Sequence, residues 1–164
     1  MRRFLFAIYL VVACATGAIA VPLEDGFSAY ARGDYAQAMK FWRPLAAQGD
    51  AQAQVSLGAL YATGQGVPQD SQEALKWFRL AAAQGNAMAQ YNLSNMYRKG
   101  NGVPQDFVRA HMWSNLAGAA LSGEEGKNAM KIRDRAALQM TAAQILLAKE
   151  MARRCQQTKF KECD

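Results

Sequence analysis

Apolar positions at helical spacing alternate with short polar turns between residues 46 and 117. Gln54, Leu57 and Tyr61 lie three and four residues apart, which is the spacing of one face of an α-helix that we predict over residues 51–63. A second helix follows after a turn, and its apolar face consists of Ala74, Trp77, Phe78 and Ala81. The pattern therefore predicts two helices joined by a short loop.

Turn residues mark the ends of both helices. Gly64 ends the first helix, because glycine adopts the left-handed backbone conformation at a helix C-terminus without steric cost. Asp70 is placed to cap the second helix, and Glu73, three residues later, has the spacing that completes a capping box. Gly85 then ends that helix and the unit.

The whole unit is repeated. Residues 46–81 and 82–117 align without a gap, 19 positions are identical, and the period is 36 residues. A unit of this length is typical of helix–turn–helix solenoids, in which each repeat buries its apolar face by stacking on its neighbours. A partial unit precedes the two, because a helix over residues 35–47 places Trp42 one period before Phe78.

Two further helices are predicted after the repeats. The segment SGEEG at residues 122–126 has the composition of a loop, and residues 127–139 form a charged amphipathic pattern. Thr141 and Gln144 have the spacing of a capping box, at the start of a helix that runs to about Arg154. These two helices are expected to cover the end of the stack.

We therefore predict an all-α fold, a short right-handed α-solenoid of antiparallel helix–turn–helix repeats with N- and C-terminal capping helices. In such folds the terminal units are atypical because they lack a neighbour on one side. The expected segments are a signal peptide at 1–20, an N-terminal capping partial repeat at 21–47, one repeat at 48–83, a second repeat at 84–120, and C-terminal capping helices with a basic tail at 121–164.

The first segment has the pattern of a secretory signal. Two arginines precede an apolar run of about ten residues, which is too short for a lasting membrane span, and Ala18 and Ala20 form an A-x-A cleavage site. Cleavage after Ala20 predicts a periplasmic or secreted protein. Residues 11–14 also resemble a bacterial lipobox, so the alternative is a lipoprotein that is anchored to the membrane through Cys14.

Charge is distributed unevenly along the chain, whose formal net charge is +6. Residues 21–123 carry eight basic and seven acidic side chains, a near balance that argues against nucleic acid as a partner. The segment from Lys149 to Lys161 carries five bases and one acid. This basic tail is either a solvated helix end or a surface for anionic lipid or envelope polymer.

The repeated motif AQxxLGxxYxxGxGVxxDxxxAxxW resembles that of the Sel-one-like repeat family, a branch of the tetratricopeptide superfamily. The resemblance covers residues 46–117 strongly and residues 25–45 in part. Ser94 departs from the pattern, which has glycine there, and Ser114 stands where the pattern has an aromatic residue. Members of that family mostly serve as adaptors or scaffolds in protein complexes, so the resemblance implies a protein partner and no enzymatic activity.

Candidate residues for catalysis or metal binding are few. His111, the single histidine, occupies the position of Leu75 in the preceding unit, so we interpret it as a partly exposed helix residue. With one histidine and no cysteine cluster, we predict neither a metal site nor a cofactor. Some cysteine-rich relatives in the family that this chain resembles have been called β-lactamases. No serine after residue 20 has a lysine three residues on, so a hydrolase of that kind is a remote alternative.

Two cysteines remain after the predicted signal peptide, Cys155 and Cys163. In an exported protein an even pair of cysteines is expected to be oxidised. We therefore predict a disulfide between them.

The partner-binding surface is predicted from positions at which the two units differ. On the first helix of each unit, a stripe with spacing four, three and four differs throughout: Gln52, Ser56, Ala59 and Thr63 in one unit, and Met88, Asn92, Asn95 and Lys99 in the other. In solenoids of this type the first helices line a concave surface that can contact an extended ligand. We predict that the second set, together with Gln52 and Ser56, contacts the partner protein.

Overall fold

The computed structural model describes residues 20–163, so the predicted signal peptide up to residue 19, including Cys14, lies outside the described residues. The described helices are α1 (Ala20–Ala31), α2 (Tyr35–Ala47), α3 (Ala51–Thr63), α4 (Ser71–Ala82), α5 (Ala87–Lys99), α6 (Phe107–Ala120), α7 (Gly123–Ala137) and α8 (Ala142–Gln157). No strand occurs among these residues, and successive helices pack against each other. The predicted all-α solenoid is therefore confirmed.

Equivalent signals begin and end the first helix of each unit. Asp50 and Asn86 cap α3 and α5, and each side chain accepts a hydrogen bond from the backbone amide three residues later. Gly64 and Gly100 follow these helices in the left-handed conformation, with φ angles of 73° and 74°. The bounds of α3 are those that the sequence pattern predicts.

A buried glutamine joins consecutive units. The Gln54 side chain, 3% exposed, donates a hydrogen bond from Nε2 to the Ala46 carbonyl at 3.1 Å. Its Oε1 accepts one from Gln84 Nε2 at 2.9 Å. Because a buried amide is costly unless it is hydrogen-bonded, these two bonds hold the end of α2 and the end of α4 in register on α3.

The contact between the two helices of a unit differs between units. In the α3–α4 pair the Phe78 ring lies directly on Gly58, where an added Cβ would stand 2.6 Å from a ring carbon. One period later, Ser94 and Ser114 occupy the equivalent positions, and both are fully buried. We infer that the two departures from the repeat motif are a matched pair, because they fall at the two positions that contact each other in the α3–α4 pair. Trp77, which the pattern places on the same face as Phe78, is only half-buried.

Asp70 caps α4, but the expected capping box is wrong. The Asp70 carboxylate accepts a hydrogen bond from the Glu73 amide at 3.0 Å, whereas the Asp70 amide donates to the Tyr61 carbonyl at 2.9 Å. The Glu73 side chain forms an ion pair within α4 instead. A complete capping box is present at α8, between Thr141 and Gln144, as predicted.

Helix α7 begins at Gly123, so the prediction of a loop over residues 122–126 is wrong. Glu124 lies in the first turn of α7, where the helix dipole favours a carboxylate. Gly126 is buried, and the Leu121 carbonyl occupies the space that a Cβ at Gly126 would need. Gly126 therefore allows close packing at the α6–α7 corner, whereas Gly123 is uncrowded and has a φ angle of 64°.

The C-terminal segment folds back on the stack. The predicted disulfide is present between Cys155 and Cys163, with their Cα atoms 4.6 Å apart. Within the loop that it closes, the Phe160 ring lies against Gly85, where an added Cβ would stand 2.9 Å from a ring carbon. Helices α7 and α8 both pack on α6 and cover that end of the stack. Among the described residues, no helix has the length and apolar character needed to cross a membrane.

Candidate functional site

The predicted partner-binding residues lie on α3 and α5 and differ in accessibility. Gln52 and Lys99 are exposed, whereas Met88, Asn92 and Asn95 are half-buried. Three polar residues and Met88 form a partly recessed surface on α5, which we call the α5 strip. That a partner contacts this strip stays a prediction.

Ser56 is 8% exposed, so its assignment to an accessible stripe is wrong. Helix α3 packs against α2 and against α4, and every residue from Ala53 to Gly58 is buried as a result. Two units can differ at a position because it faces solvent or because its neighbours differ. Ser56 is buried, so the difference at this position reflects different neighbours rather than exposure to solvent.

A second candidate site lies where α4, α5 and the loop before α6 meet. Arg79, on α4, donates a hydrogen bond from Nη2 to Tyr97 Oη at 2.7 Å. Tyr97 is 4% exposed, and the Arg109 guanidinium carbon lies 5.8 Å from the centroid of its ring, a cation–π distance. Val103 and Pro104 add apolar walls to a cavity of about 250 Å³. We call this cavity the Arg79–Arg109 cleft.

Arg109 is held at the first turn of α6 by Asp106. The Arg109 Nη1 atom pairs with Asp106 Oδ2 at 2.6 Å, and Asp106 Oδ1 accepts from the Arg109 amide at 2.9 Å. One carboxylate thus fixes both the helix start and the guanidinium. A neighbouring cavity of about 230 Å³ shares Arg79 with the cleft and is also lined by Phe160 and Lys161 of the disulfide-closed loop.

The hydrogen bond at the cleft has a counterpart one period earlier, where Arg43 Nη2 donates to Tyr61 Oη at 3.1 Å. Both bonds join the second helix of one unit to the first helix of the next, so we interpret them as part of the stacking. The second arginine of the cleft is different. Glu73 stands one period before Arg109, so the added positive charge is confined to the later junction.

The cleft is absent from the sequence prediction, because the partner-binding surface was sought only on the first helices of the units. Its signal in the sequence is the recurrence of arginine at positions 43 and 79, one period apart, and the change from Glu73 to Arg109. Neither observation alone predicts that these side chains meet at one tyrosine, because that contact depends on how the helices pack. The loop before α6 has to turn back over α5 for that contact to form.

Residues 23–50, 51–86 and 87–120 match the Sel1 repeat family. The chain belongs to the Sel1 repeat family. The helix pairs α1–α2, α3–α4 and α5–α6 correspond to its three Sel1 repeats.

Two solved structures are similar to this Sel1 repeat chain. A protective antigen present in uropathogenic Escherichia coli strains, which displays an SLR fold, aligns with a TM-score of 0.77 and 28% identity over 89% of this chain. This chain spans only 30% of that protein's length. A Sel1 repeat protein from Oxalobacter formigenes aligns with a TM-score of 0.60 and 32% identity, over 70% of this chain and 90% of that protein. No match was found among curated proteins.

His111 lies beneath the helices that follow the Sel1 repeats, so its interpretation as partly exposed is wrong. It is 3% exposed because α7 and α8 both pack on α6, and its Nδ1 finds no hydrogen-bond partner among the described residues. Burial lowers the pKa of the imidazole below its ordinary value of 6.5, and the positive charges of Arg133 and Lys149 lower it further. Within residues 20–163, no group of three or more His, Cys, Asp or Glu side chains is arranged to hold a metal ion.

We expect acid to destabilise this Sel1 repeat protein through His111. A base with a lowered pKa in the folded state binds fewer protons there than in the unfolded state. The free energy of unfolding should therefore fall as the pH drops below about 6.5, by at most about 1.4 kcal/mol per pH unit. His111→Leu, which copies the buried Leu75 of the preceding repeat, should remove that contribution. Urea unfolding of both proteins across this pH range measures the difference, and a pH-independent difference would contradict a neutral buried imidazole.

Proposed function

We propose that this chain is a non-enzymatic scaffold of the bacterial cell envelope that binds another protein through the surface of its first helices. Sel1 repeat proteins typically act as scaffolds for protein interactions. The observation that carries the proposal is the stack of three such repeats, which presents equivalent helices side by side to an extended ligand. The secretory pattern of the first twenty residues supports the envelope as the location.

The α5 strip is the contact that we propose. Asn92 and Asn95 offer amide donors and acceptors to a peptide backbone, and Lys99 offers a cation. Met88 can adapt to apolar side chains of different shape. Half-burial restricts the two asparagines before a partner arrives, which lowers the entropic cost of ordering them on binding.

We expect the triple change Asn92→Ala, Asn95→Ala and Lys99→Glu to abolish most partner binding while leaving the fold intact. None of the three side chains belongs to the fully buried core, so the melting temperature should move little. Crosslinking in intact cells followed by mass spectrometry measures recovery of the partner, and circular dichroism measures the fold.

A control with the same change in charge and the same number of amide side chains removed combines Asn128→Ala and Lys127→Glu on α7 with Gln139→Ala just after it. This control should retain the partner. Full recovery of the partner with both triple variants would show that the protein binds elsewhere. An equal loss of the partner with both variants would show that the change in net charge causes the effect.

A membrane or polymer surface is the second candidate function, and one observation favours it. Helix α8 exposes Leu146 and Leu147, at 70% and 53%, on the same helix as the exposed Lys149 and Arg153. Exposed leucines beside basic residues are typical of helices that lie on anionic membranes. Sedimentation of the exported protein with anionic but not neutral vesicles would support this candidate over the scaffold.

A further inference from the structure

We propose that a cavity between α2 and the loop after α3 binds a glutamine side chain of the partner protein, followed in the partner's sequence by an acidic residue. This inference rests on the proposed function, since it presumes a protein partner, and it names a contact outside the α5 strip. The cavity has a volume of about 410 Å³ and is lined by Ala36, Met39, Lys40, Arg43, Pro44 and Gly66. We call it the Ala36–Gly66 cavity.

The first argument is a hydrogen bond that one junction between repeats makes and the other lacks. At the later junction, Gln72 donates from Nε2 to the Gly102 carbonyl at 2.7 Å. One period earlier, Ala36 stands at the position of Gln72, and Gly66 at the position of Gly102. Among the described residues, no donor reaches the Gly66 carbonyl. The earlier junction therefore keeps an acceptor that its counterpart uses.

The second argument is that the two loops follow the same course. Gly66 and Gly102 have φ angles of 73° and 71°. A Cβ added at Gly66 would stand 2.7 Å from Tyr35, the first residue of α2. A Cβ added at Gly102 would stand 2.6 Å from Ser71, the first residue of α4. Because only the side chain differs, a glutamine from a partner can make at Gly66 the bond that Gln72 makes one period later.

The third argument is charge, since none of the six residues that line the cavity is acidic. Lys76, one period after Lys40, pairs with Glu73 at 3.1 Å. In the first repeat, Gln37 stands at the position of Glu73, and Lys40 forms no ion pair within residues 20–163. Arg43 adds a second positive charge, although its guanidinium is already hydrogen-bonded. An acidic residue next to the bound glutamine therefore finds complementary charge.

The fourth argument is size and lining. A volume of about 410 Å³ lies within the range of about 300–1,000 Å³ of typical ligand sites, so the cavity can hold a glutamine side chain and parts of its neighbours. Met39 and Pro44 form apolar walls. Pro44 has no N–H, so the Lys40 carbonyl lacks its usual helical donor. A primary amide carries two N–H donors and suits a lining with backbone acceptors better than a carboxylate does.

The test uses the full exported chain and a blocked tetrapeptide with a central glutamine and glutamate between two leucines. In a nitrogen-15 NMR titration at low salt, we expect shift changes at the backbone amides of Ala36, Lys40 and Gly66. Methionine in place of the peptide's glutamine has similar length but no N–H donor and should weaken binding by about tenfold. Glutamine in place of the glutamate should weaken it by about threefold, because water screens the exposed Lys40.

Ala36→Gln copies Gln72 of the second repeat and is the decisive variant. Its side chain should donate to the Gly66 carbonyl from within the chain, occupy the cavity and weaken peptide binding by about tenfold. Ala36 is exposed and glutamine is a good helix former, so the fold should be retained. The matched control is Ala47→Gln, at an exposed position that ends the same helix outside the cavity, and it should leave binding unchanged.

Unaltered affinity in the Ala36→Gln variant, equal binding of the methionine peptide, or no shift at all would overturn the inference. Equal binding of free glutamine would also overturn it, since the cavity would then recognise a small molecule rather than a protein segment. Shift changes confined to the α5 strip would overturn the role of the cavity and leave the proposed scaffold function standing. That function is tested separately by the crosslinking of the α5 variants.

Discussion

Replacing Phe78 with serine is expected to lower the free energy of unfolding by about 3–5 kcal/mol. The ring is 2% exposed and fills the contact between α3 and α4, so its loss leaves a cavity that the surrounding helices can close only in part. Gly58→Ser is expected to destabilise as well, by at least about 1–3 kcal/mol, because its side chain would collide with the ring.

The double variant Gly58→Ser with Phe78→Ser should be less destabilised than the sum of the two single variants. It copies the pair that the third repeat already uses, in which Ser94 donates to the Tyr91 carbonyl and Ser114 to the Ala110 carbonyl. Each hydroxyl thus finds its hydrogen-bond acceptor within its own helix. A coupling of about 1 kcal/mol or more is expected from a double-mutant cycle measured by urea unfolding. Additive effects would show that the two serine positions of the third repeat are not a matched pair.

Removing the disulfide, by Cys155→Ala together with Cys163→Ala, is expected to lower the free energy of unfolding by about 2–3 kcal/mol. The bond closes a loop with a sequence separation of 8, and its loss frees that loop in the unfolded chain. The folded state also loses the restraint that keeps Phe160 against Gly85. Urea unfolding under oxidising conditions measures the change.

Phe160→Ala with both cysteines intact separates the two contributions. This variant should lose only the ring contact and keep the entropic effect of the closed loop. If the double cysteine variant is no less stable than the Phe160 variant, the covalent bond contributes nothing beyond the position of the ring. Stoichiometric thiol labelling of the exported protein would contradict the disulfide itself.

The helices could be predicted from the sequence because local signals and periodic spacing agree. Gly64 and Gly100 end the first helices at their expected positions, and the Thr141 cap begins α8. The errors arise where a second element decides the outcome. His111 lies under α7 and α8, which the sequence does not place over α6, whereas the apolar Leu75 at the same position of the preceding repeat is a sequence signal for a buried position.

The candidate site was less accessible to prediction than the fold. Ser56 differs between units like a surface residue, but α2 and α4 together enclose that side of α3. The Arg79–Arg109 cleft is formed by α4, α5 and the loop before α6. The spacing of residues along the chain does not show that these three elements come together. The change from Glu73 to Arg109 one period later is visible in the alignment of the repeats. It indicates the cleft once the neighbouring tyrosine is known.

The disulfide-closed loop also bears on how this stack comes apart. Linear arrays of repeats tend to lose structure from their ends inward, one unit at a time, because a terminal unit has one neighbour instead of two. Here Phe160 reaches from beyond α8 back to the turn that ends α4, across the whole third repeat. Unfolding of α8 thus also removes the contact that its tail makes at Gly85, at the end of the second repeat. We therefore expect the third repeat, α7 and α8 to unfold together as one cooperative unit rather than one element at a time.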